Sequence, residues 1–246
     1  MEQRGNGVGP GGEGARSDNA KAPASGRKRN AKKQGRWRHT YAAIDVGTNN
    51  CRLLIAKPVP TGFRVIDAYS RTVRLGERVD ETGVLSPAAM DRAVTALRVC
   101  ASKVKRRGVS RTRAIATEAC RTAGNGLEFI DRVARETGIK LDIITADEEA
   151  RLAVAGCAAL VDRTYDGAMI FDIGGGSTEI VWLDLRGNGA TERNGLDQQG
   201  IVTWTSLPFG VVNLAEQFKH MTAGPAQFDA MTAEIHGLLE GFDEAD

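Results

Sequence analysis

Two stretches of this chain place an aspartate just before a glycine turn: Asp45-Val46-Gly47-Thr48-Asn49-Asn50 and Asp172-Ile173-Gly174-Gly175-Gly176-Ser177. A glycine turn between strands points successive backbone N–H groups one way. Glycine serves there because such turns visit positive φ and because an anion must come close. Gly174, Gly175 and Gly176, followed by the hydroxyls of Ser177 and Thr178, therefore read as a phosphate cradle, with Gly47 to Asn50 as the counterpart. Either turn alone is equally a plain hairpin; two, each behind a strand-terminal carboxylate, form a stronger pattern. Paired carboxylates beside phosphate call for a hard divalent cation, usually Mg2+ held partly through water, and this marks Asp45 and Asp172. Thr117-Glu118-Ala119-Cys120-Arg121 closes a strand. A carboxylate there can orient and deprotonate water, and an arginine three positions on can clamp phosphate oxygens, although surface polarity explains the pair as simply. Asp147-Glu148-Glu149 opens a helix, where compensation of the helix dipole suffices as a reason. The glycine runs fit neither G-x-x-x-x-G-K-[ST] nor a G-x-G-x-x-G opening a helix, which excludes the Walker type and argues against a dinucleotide site. His39, His220 and His236 have no metal-ligand spacing.

The elements that must position these groups follow from pattern. Residues 42–47, 51–56 and 63–69 read as three strands joined by short turns, hence an antiparallel meander. Ser86-Pro87 supplies a cap and a first helical position, and Met90, Val94, Leu97, Ala101 and Val104 continue at helical spacing towards a stop at Gly108. A strand at 112–117, a helix at 127–137 ended by Gly138, a strand at 141–144 and a helix from Thr145 to about Leu160 complete the order βββαβαβα. The pattern then restarts: strands at 168–173, 177–183 and 201–207, a polar hairpin insertion at 186–200, and helices at about 211–220 and 226–239. The two aspartate–glycine turns fall at equivalent places in two copies of one unit, which would set them face to face across a cleft.

The chain has 246 residues, 41% of them apolar, enough for one large or two small domains. No apolar run reaches the roughly 20 residues a membrane helix needs, and the polar N-terminus lacks an apolar signal core. Cys51, Cys100, Cys120 and Cys157 are scattered and form no C-x-x-C pair, which points to reduced thiols and a cytoplasmic setting. The net charge of +2 is uneven: residues 1–40 carry +7 and the remainder −5. Residues 1–38 have almost no large apolar side chain and read as a disordered tail. Its run Arg27-Lys28-Arg29-Asn30-Ala31-Lys32-Lys33 could hold a polyanion, nucleic acid or the substrate itself, or simply aid solubility.

Taken together, the residues resemble the exopolyphosphatase and guanosine-pentaphosphate phosphohydrolase family of the actin, hexokinase and heat-shock ATPase superfamily. The resemblance rests on Ala43-Ile-Asp-Val-Gly-Thr-Asn-Asn-Cys-Arg-Leu-Leu-Ile, Arg74-Leu-Gly with Thr82-Gly-Val-Leu-Ser, Ala116-Thr-Glu-Ala-Cys-Arg, Glu148-Glu-Ala-Arg, Asp172-Ile-Gly-Gly-Gly-Ser-Thr-Glu and Leu207-Pro-Phe-Gly-Val-Val-Asn-Leu. It runs from about Tyr41 to the C-terminus. It implies an α/β, actin-like (ribonuclease H-like) two-lobed fold: a basic tail over residues 1–40, a first lobe over 41–160 and the start of a second over 161–246. It further implies Glu118 as general base, Asp45, Glu149 and Asp172 arranging Mg2+, and Thr48, Asn49, Asn50, Arg52, Arg121, Gly174, Gly175, Gly176 and Ser177 binding phosphates. The implied reaction is release of terminal phosphate from inorganic polyphosphate, or of the 5′ γ-phosphate from guanosine pentaphosphate.

The second unit departs from the pattern by stopping after three strands and two helices, without the later strands or the later glycine loop. Such an unfinished lobe is expected to expose a sheet edge and an apolar helix face, which invites a homodimer or aggregation. A non-catalytic sensor of polyphosphate or guanosine tetraphosphate is the alternative reading, and a kinase or actin-like ATPase the third.

Overall fold

The computed structural model describes residues 39–60, 62–186 and 200–240; the expected basic tail and nearly all of the expected hairpin insertion lie outside the described residues. The first sheet is built from β1 (Tyr41–Val46), β2 (Asn50–Val59), β3 (Gly62–Thr72), β4 (Arg111–Ala116) and β5 (Asp142–Ile143), in the order β3-β2-β1-β4-β5. The meander β1-β2-β3 is antiparallel, as its short turns require, and β4 and β5 join in parallel after helical crossovers.

Alternation along β1 places Ala42, Ile44 and Val46 in the core and Tyr41, Ala43 and Asp45 on the opposite face. The core is closed by α2 (Pro87–Arg106) and α4 (Gly126–Thr137). The Ser86 hydroxyl caps α2 by accepting from Ala89 N at 3.2 Å, and Met90, Ala93, Val94, Leu97 and Cys100 form its buried stripe. Gly138 ends α4 at φ 72°, a conformation that costs glycine least. Phe129 on α4 is fully buried, and truncating such a side chain costs about 3–5 kcal/mol.

Two short helices went unread in the sequence. α1 (Val79–Thr82) is a single turn before α2, and α3 (Glu118–Thr122) follows β4 directly. Both are too short for a periodic signal. β5 has only two residues rather than four. α5 (Ala146–Cys157) begins at Thr145, whose hydroxyl accepts from Glu148 N at 3.2 Å. The Glu148 side chain pairs with Arg113.

The second sheet, β6 (Gly167–Ile173), β7 (Thr178–Asp184) and β8 (Ile201–Leu207), repeats the antiparallel meander in the order β6-β7-β8. α6 (Val211–Gln217) and α7 (Pro225–Leu239) follow. Its core is small: Ile170, Val181 and Leu183 pack on Ala150 and Val154 of α5. β6 has an open edge, and Met169, Phe171 and Ile173 on it are exposed, as is Phe228 on α7. Among the described residues no helix is long and apolar enough to cross a membrane.

Candidate active site

The two glycine turns are copies of one geometry. Gly47 N donates to Asn50 O at 2.9 Å, and Gly174 N donates to Ser177 O at 2.9 Å. The strand partners are equivalent too: Asp45 stands opposite Arg52 across β1 and β2, and Asp172 stands opposite Glu179 across β6 and β7. The turns meet directly. A methyl group added to Gly175 would lie 3.0 Å from Thr48 Cβ, and one on Gly176 2.9 Å from Thr48 Oγ1. Thr48 is itself wedged against Gly76, where a Cβ would come within 2.3 Å of its methyl. None of Gly47, Gly174, Gly175 and Gly176 has a positive φ, so that part of the expectation is corrected: close approach, not a left-handed backbone, explains the glycines of the second turn.

The second turn is braced from behind by the start of α6. Val211 N donates to Gly174 O at 3.0 Å, Val212 N to Gly175 O at 2.8 Å, and Asn213 Nδ2 to Gly176 O at 3.1 Å. Its carbonyls are thereby taken on the far side, and the N–H groups of Gly175 and Gly176 have no intramolecular partner among the described residues. Gly210 makes the bracing close: a Cβ there would lie 2.5 Å from Gly174 O. Unpaired amides of this kind are able to receive an anion.

Between the turns lies a cavity of about 180 Å³ lined by both of them and by Asp45, Arg52, Glu118, Glu149 and Asp172. Thr48, Asn49, Asn50 and Ser177 line it as well. Two residues singled out in the sequence stay off the wall: Thr178, whose hydroxyl donates to Phe209 O at 2.8 Å, and Arg121. Arg121 is tied to Glu118, to Glu149 at 3.2 Å and to Ile144 O at 2.9 Å. α3 explains this arrangement, because it places Arg121 one turn after Glu118, on the same helical face. The arginine therefore holds two carboxylates in place.

Glu179 is the site residue missed in the sequence. It is 1% exposed; its Oε1 accepts from Ser206 Oγ at 2.8 Å, and its Oε2 has no partner. The signal was present as a lone acid amid the apolar alternation of β7, and superposing the two turns in sequence puts it at the place of Arg52.

The cluster is short of positive charge. Burial, then Glu179 and Asp172, push the Glu149 carboxyl up to about 7 against the pull of Arg121. Glu179 is raised by burial and by Asp172, opposed by its bonds to Ser206 and Ser177. Asp45 is raised by burial and Asp172, with Arg52 opposing. Buried carboxylates that raise one another are a demand for a cation. Among the described residues no three His, Cys, Asp or Glu side chains converge as a ready-made metal cage. Hard oxygen donors, an orphaned Glu179 Oε2 and a cavity lined mainly by polar groups suit Mg2+, which keeps several waters and takes few direct protein ligands.

The Ppx/GppA phosphatase family model matches residues 54–242. The chain belongs to that family. Among solved structures it is 30% identical to an exopolyphosphatase-like protein, covering 82% of this chain and 61% of that one at a TM-score of 0.70. It is 31% identical to the Aquifex aeolicus Ppx/GppA family member, with the same coverages and a TM-score of 0.62. An exopolyphosphatase from Cytophaga hutchinsonii, 24% identical with 84% of this chain covered and 62% of its own, shares the fold at a TM-score of 0.73. The chain thus spans about six-tenths of the length of these relatives. The family's actin-like fold accounts for both sheets, the second lobe being represented by its meander and two helices.

Proposed function

We propose that this chain carries a phosphoanhydride hydrolase site that removes the terminal phosphate of inorganic polyphosphate, the 5′ γ-phosphate of guanosine pentaphosphate, or both, in a cytoplasmic setting. The observation that carries the proposal is the meeting of two phosphate turns across a cavity whose wall holds Glu118 and an under-neutralised set of carboxylates. The backbone N–H groups of Gly175 and Gly176 bind the oxygens of the terminal phosphate, and Arg52 with Asn49 and Asn50 binds the next one. Asp45, Asp172, Glu149 and Glu179 would hold Mg2+, which when bound would neutralise charge on the phosphate chain. Glu118 takes the proton of the attacking water, and its carboxylate is aimed by Arg121. Arg121 is in this reading a positioning residue. In-line attack on a phosphoanhydride needs little more than such placement and charge.

The test is phosphate release from polyphosphate and from guanosine pentaphosphate, with Mg2+ and with chelator. Metal-dependent release from either substrate supports the proposal. Binding of both without release, at any Mg2+ concentration, would favour a non-catalytic sensor.

A further inference from the structure

The end of the first sheet opposite the cleft is densely basic. Residues 103–113 carry Lys103, Lys105, Arg106, Arg107, Arg111 and Arg113 around the close of α2 and the start of β4. Lys103 and Arg107 are neutralised by Asp67, and Arg113 by Glu148. Lys105, Arg106 and Arg111 are exposed and form no ion pair among the described residues, and the same holds for Arg64. Strand register brings Arg111 and Arg64 to one end of the sheet: Arg111 pairs with Tyr41, Tyr41 with Ala56, and Lys57 beside it with Arg64. This happens in a body whose net charge outside residues 1–40 is −5, so the concentration is local.

Two exposed aromatic residues adjoin these cations along the strands: Tyr41 pairs with Arg111, and Phe63 precedes Arg64 on β3. Phe63 is 63% exposed and Tyr41 37%, and Tyr41 stands edge-on to His39, their centroids 6.5 Å apart. His39 in turn contacts Ser110 at 3.3 Å, so the chain enters the body beside this surface directly after a segment with ten Lys and Arg. β1 separates the surface from the cleft by about 17 Å, at roughly 3.3 Å per residue.

We infer that this end of the first lobe binds single-stranded RNA. Cations alone would suit any polyanion. Exposed aromatics beside them add stacking platforms for bases, which an inorganic phosphate chain cannot use.

The test uses the full chain and a fluorescein-labelled oligouridylate of about 20 nucleotides, with anisotropy read between about 50 and 200 mM salt. Arg106→Gln with Arg111→Gln should weaken binding about tenfold and lower the salt slope by about 1.4, at roughly 0.7 per phosphate contact on a single strand. Tyr41→Ala with Phe63→Ala should weaken binding about fivefold or more and leave the salt slope unchanged. Circular dichroism melting of each variant confirms that the body is folded. The inference is overturned if the aromatic pair has no effect while long polyphosphate displaces the RNA phosphate for phosphate, since the surface is then a tether for inorganic polyanion. It is also overturned if both folded variants bind RNA like the parent.

Discussion

The two glycine turns share one backbone and differ in one cross-strand partner. In the first lobe Asp45 faces Arg52; in the second Asp172 faces Glu179. One copy of the unit therefore pairs its aspartate with a cation, and the other pairs it with a second carboxylate. The supports differ as well. The first turn sits on a broad core closed by α2 and α4, whereas the second rests on a small cluster and is braced by α6 and by Thr48 from across the cleft. The two copies of the unit thus differ in charge and in support, and the second turn is held in part by contact with the first.

The largest expected effect lies outside the duplicated part. α3 follows β4, and the second sheet has no counterpart of β4 among the described residues, so Glu118 belongs to one lobe alone. Glu118→Gln should keep the fold and substrate affinity and cut turnover by a factor on the order of 10²–10⁴, read by phosphate release. Near-parental turnover in the folded variant would remove the general base from this lobe.

The contrast in support is sharpened by matched alanine substitutions. A methyl at Gly47 would meet nothing nearer than Asn50 O at 3.7 Å, whereas one at Gly176 would press on Thr48 at 2.9 Å. Gly176→Ala should lower phosphate release by roughly ten- to a hundredfold, since overpacking costs about 1–3 kcal/mol at a turn that must hold its shape. Gly47→Ala should stay within about twofold, as ordinary contact carries no such cost. Equal losses at both positions would mean that the second turn is not the one wedged by its neighbour.

The difference in partners has its own assay. Arg52→Gln should raise KM for substrate about tenfold with the Mg2+ requirement unchanged, as expected for loss of a charge-assisted phosphate contact. Glu179→Gln, and likewise Asp45→Asn and Asp172→Asn, should raise the Mg2+ needed for half-maximal release several-fold, because each removes an anionic anchor of the ion or of its water shell. A Mg2+ titration that shifts with Arg52→Gln but not with Glu179→Gln would reverse the division of labour.

The smallest effect is on stability. Glu149 titrates near 4.5 when unfolded and at about 7 when folded, so between these values the folded state binds more protons. The associated stability is full below about pH 4.5 and is lost as pH rises through about 7. With chelator present, Tm should fall by a few degrees between pH 6 and pH 8, and Glu149→Gln should flatten that slope. An unchanged slope in the variant would assign the titration elsewhere in the cluster.

Much of this was legible beforehand because it is local. Alternation and caps marked every strand of both meanders and every long helix. Ser86, Gly138 and Thr145 acted as their residue types suggest. α1 and α3 were not legible, since one turn of helix has no period. The pairs that Arg121 makes were hidden for the same reason, since it is α3 that turns it to Glu118 and Glu149.

By itself, the sequence determined the repeated strand–aspartate–glycine unit, the order of elements and the chemical types available for phosphate and cation. Each depends on spacing of a few residues, which the chain carries directly. The tertiary structure alone decided that Gly175 and Gly176 serve Thr48 rather than a positive φ, that Glu179 replaces Arg52 across the cleft, and that Glu149 holds its proton to about pH 7. These depend on through-space proximity of groups up to 128 positions apart, as Thr48 is from Gly176, and on the water excluded between them. Steric contact, desolvation and Coulomb interaction arise only once the two turns are brought together.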